Sequence, residues 1–562
     1  MSDLTSQAEI GGQQRSSTKA LNVGNQTREF DVCIIGSGAA GGFMAKELCQ
    51  GGAKVIMLEG GKEVRPDDLI SHKWPYELPF ANLRAEKQAY FYQGDVATSI
   101  RYETHAQVEV DRARVLGGRT MHWNAVTLRY APQDFREWTL AGVEDDWPLT
   151  YEELAPYYER VEQIIGVCGN DDGLEIVPGG KHYLPPLPWR CSEHILKRAT
   201  DALNIPLISV RKAVLTKPYD NRTPCHHCGH CMEGCDVSAI FSSPGCTLPK
   251  AAATGNFTLR QNALAREILV DREGRARAVS FVDTDTGKTE ELKAQIVVVC
   301  CATVESARLL LNSVSPQHPA GLGNSSGVVG HYLHGHINTS AQVFLKELQG
   351  TKPVNQDGAT DHVYIPRFDY RDSHRGYAGG YAFQVNYDSY MFPRQARLLK
   401  GYGAEFKRRV RTMQPGYAIL GGFGKSMAAK QNYVSVDKNQ VDAHGIPIPV
   451  IHFQFVENDM LLWQGMRKGL EQIVSHLSGE VFFDETGASG LASHEVGTIR
   501  MGKDPKTSAL NSFCQSHDVK NLFVTDGSCF TTSSEKNPTL TIMALSMRAA
   551  EYVIQQRRLG II

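Results

Sequence analysis

The sequence predicts an α/β protein in which a strand–turn–helix–strand unit is joined to a second, strand-rich region. Residues 29–35 are typical of a buried strand that opens on a polar edge, and residues 55–58 form a second strand after a glycine-rich turn and a helix-compatible segment at 42–50. A unit of this length with glycines in its first turn is typical of Rossmann-like nucleotide-binding domains. Alternating polar and apolar residues recur within 340–480 and favour further strands there.

Composition places the chain among ordinary globular proteins. A chain of 562 residues is too long for one hydrophobic core, so two or three joined domains are expected. The net charge of −2 gives no electrostatic basis for binding nucleic acid or an anionic membrane surface. No apolar run approaches the roughly 20 residues that a membrane helix needs. We therefore expect neither a nucleic-acid partner nor a membrane span.

The first 28 residues are expected to form a flexible tail. They are rich in Ser, Gln, Gly and Thr, lack the apolar core of a secretory signal and contain no twin arginine. If the protein is exported, another chain must carry the signal.

The first glycine-rich turn is expected to bind a dinucleotide. Gly36, Gly38 and Gly41 follow the first strand in a GxGxxG pattern and open the helix. Glycines at this spacing allow a tight turn and let the helix N-terminus face a pyrophosphate. Glu59 ends the second strand, where a carboxylate accepts hydrogen bonds from ribose hydroxyls. The combination favours dinucleotide binding over a purely structural turn.

A second glycine-rich loop spans residues 116–124. Gly117 and Gly118 let the backbone lie against a planar ring, which predicts contact with a flavin. His122 is then close enough to pack against the flavin or to be its covalent attachment point. The alternative for His122 is a structural histidine.

A cysteine-rich loop at residues 224–236 is the third motif. Four of the thirteen cysteines fall within it, at Cys225, Cys228, Cys231 and Cys235. This C-x2-C-x2-C-x3-C spacing is typical of loops that wrap an iron–sulfur cluster. A zinc site or free thiols are the alternatives. The intervening His226, His227 and His230 are candidate ligands if the cluster is Rieske-like.

The C-terminal part contains two candidate catalytic residues. His494 precedes a Gly-Thr turn, and Asn537 precedes a proline at a helix start, so each side chain can be held rigidly over a ligand. Neutral imidazole suits a base that takes a hydroxyl proton near pH 7. An amide can orient the hydroxyl. A core histidine and a helix cap are the alternatives.

Together these blocks resemble the glucose–methanol–choline (GMC) oxidoreductase family of flavoenzymes. The resemblance runs from about Phe30 to Ile554 and includes the blocks at 147–158, 324–330 and 526–528. It implies a Rossmann-like FAD-binding domain, similar to that of p-hydroxybenzoate hydroxylase, with an α+β substrate domain built on an antiparallel sheet. It also implies FAD contacts at Asn124, Asp526, Gly527 and Asn537, and a catalytic pair formed by His494 and Asn537. His122 falls where pyranose-oxidase-like relatives attach FAD covalently.

The cysteine loop is similar to that of bacterial iron–sulfur sugar dehydrogenases, and most similar to the glucoside 3-dehydrogenase group. This resemblance implies a [3Fe–4S] or [4Fe–4S] cluster that passes electrons to an external acceptor such as a cytochrome c. It further implies a small partner subunit with a twin-arginine signal, and hence a periplasmic location, with a cytoplasmic location as the alternative.

The order of the blocks predicts three regions after the tail. Residues 29–335 form the FAD-binding domain, which includes an inserted helical segment and the cysteine loop. Residues 336–488 form the substrate-binding domain, and residues 489–562 return to the FAD domain with the catalytic pair.

Three polar residues in the substrate domain are candidates for substrate contacts: Gln384, Asn386 and Tyr387. The alternative for them is an ordinary polar position in a sheet.

The expected reaction is oxidation of a secondary alcohol of a sugar or glycoside, with C3 of a glucoside favoured, to a ketone. His494 takes the hydroxyl proton, Asn537 positions the oxygen, and hydride passes to flavin N5 before the electrons leave through the cluster. An oxidase that uses O2, with a structural or zinc-binding cysteine loop, is the alternative. A flavin-bearing electron-transfer subunit without its own substrate is a further one.

Overall fold

The computed structural model describes most of the chain from Phe30 to Ile562. The described ranges are 30–65, 68–69, 100–104, 106–110, 112–228, 231, 234–352, 361–370, 374–386, 398–491 and 493–562. The tail at 1–28, the candidate Tyr387 and His230 of the cysteine loop lie outside them, as does the side chain of Asn386.

Eighteen strands and nine α-helices are defined within these ranges. The strands are β1 (Phe30–Ile35), β2 (Val55–Leu58), β3 (Arg101–Thr104), β4 (Gln107–Glu109), β5 (Ile208–Ser209), β6 (Phe257–Arg260), β7 (Ala263–Val270), β8 (Ala276–Asp283), β9 (Thr289–Val299), β10 (His336–Leu345), β11 (Val363–Ile365), β12 (Tyr381–Asn386), β13 (Tyr417–Lys425), β14 (Tyr433–Val441), β15 (Pro447–Phe453), β16 (Gly479–Phe483), β17 (Ser489–Leu491) and β18 (Leu522–Val524). The helices are α1 (Ala39–Gln50), α2 (Glu137–Ala141), α3 (Tyr151–Ile165), α4 (Cys191–Ala202), α5 (Thr247–Ala252), α6 (Thr303–Asn312), α7 (Gly403–Met413), α8 (Glu457–Val474) and α9 (Thr539–Arg558).

The first sheet has a parallel and an antiparallel part. Strands β6, β2, β1, β9 and β18 lie parallel in that order, and β7, β8 and β9 form an antiparallel meander. Helix α1 packs beside α9 and α5. The carboxyl ends of the parallel strands meet at one edge of the sheet, where Gly36, Cys300 and Thr525 follow β1, β9 and β18. Such an edge is where open α/β sheets bind ligands.

Helix α1 begins at Ala39, earlier than the residue pattern predicts. Its first turns contain Gly41 and Gly42, and glycine is a weak helix former. A Cβ on Gly41 would lie 2.0 Å from the carbonyl oxygen of Gly36, and one on Gly42 would lie 2.6 Å from the Cβ of Ser243. The missing side chains therefore let the helix start directly beyond β1 and pack closely, which outweighs the low propensity.

The second sheet contains strands from several parts of the chain. Its order is β4, β17, β10, β13, β12, β11 and β5, with β16 also paired to β10, and all pairs except β17–β4 are antiparallel. Three of these strands, β4, β5 and β17, come from outside residues 336–488. One face packs on α8, where Leu462, Met466 and Leu470 share a core with Ile337 and Val343.

A small third sheet completes the fold. Strand β15 pairs antiparallel with β14 and parallel with β3, and the sheet packs against α6 through Val434 and Ile451. The predicted α/β class, with a Rossmann-like domain and an antiparallel second sheet, is confirmed. None of the described helices is long and apolar enough to cross a bilayer.

Candidate active site

A cavity of about 610 Å³ lies between the two large sheets. Its walls come from both glycine-rich loops, the second sheet and the C-terminal segments. The lining includes residues 36–40, Glu59, 118–120, 122–126, 300–303, 421–423, 493–495, Asp526, Gly527 and 537–539. One cavity therefore brings together the predicted nucleotide-binding and catalytic residues.

The glycines of the first turn have two different roles. A Cβ on Gly36 would lie 2.4 Å from the carbonyl oxygen of Cys300, so Gly36 and Gly41 permit close packing of the backbone. Gly38 is different, because a Cβ there would meet no atom closer than 3.9 Å, from the carbonyl oxygen of Gly117. The missing side chain of Gly38 leaves space in the cavity, as expected where a pyrophosphate approaches the backbone.

Two buried carboxylates lie at the same edge of the first sheet. Glu59 accepts hydrogen bonds from the backbone N–H groups of Ser37 (3.1 Å) and Gly61 (2.8 Å), and from the Ser37 hydroxyl. Asp526 accepts from the backbone N–H groups of Ala302 (3.0 Å) and Ser528 (2.9 Å). Burial raises the pKa of both carboxyl groups. The hydrogen bonds hold both groups rigidly beside the cavity.

The second glycine loop packs directly on the first. Gly117 and Gly118 have φ angles of +94° and +51°, which favour glycine, and the Gly117 N–H donates to the Ser37 hydroxyl at 2.8 Å. His122 and Asn124 line the cavity from this loop. Burial, together with the charge of Arg119, lowers the pKa of His122 to about 3. Its imidazole is therefore neutral.

The predicted catalytic pair is in direct contact. The Nδ2 group of Asn537 lies 3.0 Å from Nε2 of His494, at the cavity wall. The Oδ1 atom of Asn537 accepts a hydrogen bond of 2.8 Å from Nε2 of Gln384. Gln384, predicted as a substrate contact, thus fixes the amide orientation so that its NH2 group faces His494.

A second histidine fixes the tautomer of His494. Nε2 of His336 donates to the carbonyl oxygen of Ser534 at 2.8 Å, so in a neutral His336 the Nδ1 atom is an acceptor. That acceptor lies 3.0 Å from Nδ1 of His494, which must therefore carry the proton. The free lone pair of His494 is consequently on Nε2, the atom beside Asn537. No motif in the sequence indicated His336.

Both histidines of this dyad are neutral at physiological pH. Burial lowers the pKa of His494 well below its usual value, and His336 and Arg119 lower it further. Burial also lowers the pKa of His336 to about 4. A neutral imidazole with its Nε2 lone pair at the cavity can act as a general base.

A buried ionic network supports the segment that carries Asn537. Arg367, just beyond β11, contacts Glu535 and lies 3.0 Å from Asp134. Lys536 completes the network, with Nζ 3.0 Å from Asp134 and 2.7 Å from Glu535. All four side chains are buried. Although burial raises it, the charges of Arg367 and Lys536 bring the pKa of Glu535 below its ordinary value.

All four cysteines of the loop at 224–236 are among the described residues. Cys231 is buried, and Cys225, Cys228 and Cys235 are half-buried nearby. Among the described residues, no three His, Cys, Asp or Glu side chains converge as they would around a metal ion. The iron–sulfur cluster in this loop therefore stays a prediction.

Comparison with known proteins identifies the family. The N-terminal GMC oxidoreductase family model matches residues 35–338, and the C-terminal one matches residues 428–546. The chain belongs to the GMC oxidoreductase family. The glycine turn with its open position at Gly38, and the carboxylate of Glu59, fit the FAD that this family binds.

Relatives of this GMC protein include alcohol and sugar dehydrogenases. It is 30% identical to 2-methyl-1,2-propanediol dehydrogenase from Mycolicibacterium austroafricanum, over 93% of this chain and 95% of that one. It is 26% identical to the fructose dehydrogenase large subunit from Gluconobacter japonicus, over 95% and 100%. The crystal structure of pyridoxine 4-oxidase from Mesorbium loti has the same fold, with a TM-score of 0.62 at 16% identity over 93% and 99% of the two chains.

Substitutions of Gly38 and Gly41 are expected to separate cofactor binding from folding. Gly38→Ala should fold normally but lose most of its FAD, because the added Cβ projects into the cavity without meeting protein atoms. Gly41→Ala should instead destabilise the protein, because its Cβ would lie 2.0 Å from a backbone oxygen. Flavin absorbance relative to protein, with thermal unfolding of each variant, measures both effects. Full FAD occupancy in Gly38→Ala would contradict the placement of the pyrophosphate.

His334 is expected to make the fold acid-sensitive. It is fully buried, and burial lowers its pKa to about 4. Below pH 6.5 the unfolded chain therefore binds a proton that the folded protein does not, so stability falls as the pH drops from about 6.5 to 4, by about 1.4 kcal/mol per unit.

The His334→Asn variant is expected to lose this pH dependence: between pH 6.5 and 4, its free energy of unfolding should fall about 1.4 kcal/mol per pH unit less steeply than that of the wild type. Asparagine retains a donor for the carbonyl oxygen of Tyr332 but does not titrate. Chemical denaturation at several pH values measures the slope. His182→Asn is the control, because that side chain is 64% exposed. Equal slopes in His334→Asn and the wild type would refute the assignment.

Proposed function

We propose that this protein is an FAD-dependent dehydrogenase that oxidises a secondary alcohol of a sugar or glycoside to a ketone, with C3 of a glucoside as the favoured position. The observation that carries the proposal is the His494–Asn537 pair, whose Nε2 lone pair and amide NH2 group meet at the wall of the nucleotide-binding cavity. Bound FAD supplies the acceptor for the hydride that leaves the carbinol carbon.

The protein's own groups handle the proton and the orientation of the substrate. A substrate hydroxyl placed between His494 and Asn537 donates to Nε2 of His494 and accepts from Nδ2 of Asn537, replacing their direct contact of 3.0 Å. His494 then takes the hydroxyl proton as the carbinol carbon is oxidised. The hydrogen bond to His336 keeps the imidazole in the tautomer whose Nε2 atom can take that proton.

Anaerobic stopped-flow mixing with a panel of sugars and glycosides tests the reaction. Bleaching of the flavin absorbance by at least one sugar is expected, and NMR of the product identifies the oxidised carbon. If only simple aliphatic alcohols bleach the flavin, the substrate is one of these alcohols and not a sugar. No bleaching by any alcohol would contradict the dehydrogenase itself and favour an electron-transfer subunit.

The second part of the proposal is that electrons leave through an iron–sulfur cluster in the cysteine loop to a cytochrome c. The support is the spacing of the four cysteines together with the resemblance to iron–sulfur sugar dehydrogenases. Iron and acid-labile sulfide analysis tests it. Cys231→Ser should abolish both signals, whereas Cys191→Ser, an exposed cysteine outside the loop, should retain them.

The alternative is an oxidase with a structural or zinc-binding loop. Absence of iron together with rapid peroxide formation in air would favour it.

The proposal also includes a small partner subunit that carries a twin-arginine signal and takes the protein to the periplasm. Affinity purification from the native cell, followed by fractionation, tests the partner and the location together.

His122 is also the candidate for covalent attachment of FAD. Burial keeps the imidazole neutral and therefore nucleophilic, and the residue lines the cavity. Acid precipitation should leave the flavin on the wild-type protein and release it from His122→Ala. Release from both proteins would show that FAD is bound without a covalent link.

A further inference from the structure

One face of the second sheet lines the cavity beyond the catalytic pair. Along β10 the side chains alternate: Ile337, Ala341 and Val343 belong to the core that packs on α8, whereas Asn338 and Ser340 are half-buried and line the cavity. Because side chains of a strand alternate between its two faces, residues paired with Ser340 on neighbouring strands share its face.

A row of four residues crosses this face. Strand pairing places Gln384 beside Gly421 and Gly421 beside Ser340, and the backbone N–H of Asp484 donates to the carbonyl oxygen of Ser340 at 3.0 Å. All four residues line the cavity. With neighbouring strands about 4.8 Å apart, the row spans about 14 Å from Gln384 to Asp484. This is longer than a single sugar ring.

The two ends of the row differ in chemistry. Gln384 bonds to Asn537 and so marks the end where the alcohol is oxidised. Phe423 lies beside this end, with its ring centroid 5.8 Å from that of His494, and offers an apolar surface to the face of a sugar ring. Asp484 lies at the other end and presents a carboxylate.

The middle of the row is open. Gly421 carries no side chain, and a Cβ there would meet no atom closer than 3.5 Å, so the glycine is not required by backbone packing. Because Gly421 has no side chain, a ligand that extends along the row has room between Gln384 and Ser340.

The carboxylate of Asp484 is held in one orientation. Its Oδ1 atom accepts hydrogen bonds from the backbone N–H (3.0 Å) and the hydroxyl (2.7 Å) of Thr486. Within the described part of the chain no donor contacts the Oδ2 atom, so we infer that it can accept a hydrogen bond from a ligand in the cavity. A fixed carboxylate beside the Ser340 hydroxyl suits a group that donates hydrogen bonds, such as sugar hydroxyls or an ammonium group.

We propose that Asp484 and Ser340 form a distal subsite that binds the second ring of a glycoside while its first ring is oxidised at His494. The inference rests on the proposed function and specifies its substrate class: a glycoside of two or more rings, with hydrogen-bond donors on the ring away from the oxidised carbon.

Steady-state kinetics of the FAD-loaded protein with an artificial acceptor tests the subsite. The compounds are glucose as a one-ring substrate, maltose and cellobiose as neutral two-ring substrates, and the disaccharide of glucosamine as a cationic one. Asp484→Ala is expected to raise KM for the preferred two-ring substrate roughly 10- to 100-fold, the usual size for a hydrogen bond to a charged group. Its kcat and the KM for glucose should stay within about twofold of wild type, because the reaction end is untouched.

Two further variants sharpen the result. Asp484→Asn retains an acceptor oxygen without charge, so it should raise KM for neutral disaccharides less than Asp484→Ala does. For the glucosamine disaccharide it should raise KM as much as Asp484→Ala does, which distinguishes hydroxyl from ammonium recognition. Asp504→Ala is the matched control, because this exposed aspartate likewise accepts from a backbone N–H in a loop, but lies outside the cavity lining.

The outcomes separate the subsite from the proposed function. Equal changes in KM for glucose and the disaccharides, or no change for any of them, would overturn the subsite and leave sugar oxidation standing. Failure of every sugar to reduce the flavin of the wild type would overturn the proposed function and the subsite with it.

Discussion

Replacement of His494 by alanine is expected to lower the rate of flavin reduction by substrate about 10²–10⁴-fold, the usual contribution of a positioned base. The reason is geometric: Nε2 of His494 carries the free lone pair and lies 3.0 Å from Nδ2 of Asn537 at the cavity wall. FAD content should remain near that of the wild type, because the glycine turn that binds the nucleotide is unaltered. Anaerobic stopped-flow spectroscopy measures the rate.

The His336→Asn variant is the matched comparison for His494→Ala. His336 does not act on the substrate but holds the proton of His494 on Nδ1, so its loss leaves the base present with its tautomer no longer fixed. We expect a smaller fall in rate, about 10-fold, with KM little changed. Normal flavin reduction by substrate in His494→Ala would show that this residue is not the base.

The pH profile provides an independent readout of the same group. Because the pKa of His494 lies well below its usual value, the base stays unprotonated through neutral pH, and the rate of flavin reduction should fall only under distinctly acidic conditions. In His494→Ala this acid limb should disappear. If the rate of His494→Ala still falls under acidic conditions, another group is responsible for that fall.

Replacement of Arg367 by alanine is expected to have the largest effect on stability. Arg367 contacts both Glu535 and Asp134, and its removal leaves two buried carboxylates with Lys536 as their one remaining cation in the network. Removing one partner of a buried ion pair costs about 3–5 kcal/mol, because an uncompensated charge stays buried. The free energy of unfolding from urea denaturation measures the loss.

Activity should fall together with stability in Arg367→Ala. Glu535 and Lys536 immediately precede Asn537, so disorder of the network displaces the amide that contacts His494. Arg408→Ala is the control, because its pair with Glu405 is exposed and such pairs contribute at most about 1 kcal/mol. A loss in Arg367→Ala no larger than in Arg408→Ala would show that the buried network contributes little.

Local motifs predicted the nucleotide-binding part of the fold well. The GxGxxG turn acts through backbone conformation within a few residues, so Gly36, Gly38 and Gly41 could be read from their spacing alone. The α/β class and the GMC family were also evident from the sequence, because several ordered blocks recur along its length, and both are confirmed. The cluster in the cysteine loop stays a prediction, since four cysteines in sequence do not by themselves place four sulfur atoms around one centre.

Contacts between distant parts of the chain were decided by tertiary structure. His336 meets His494 across 158 residues of sequence, and Gln384 meets Asn537 across 153. Spacing carries no signal at such separations, since nothing near His336 distinguishes it from a core histidine. The sequence by itself determined the domain type, the family and the candidate base, whereas folding of the second sheet against the first decided which nitrogen of that base faces the cavity.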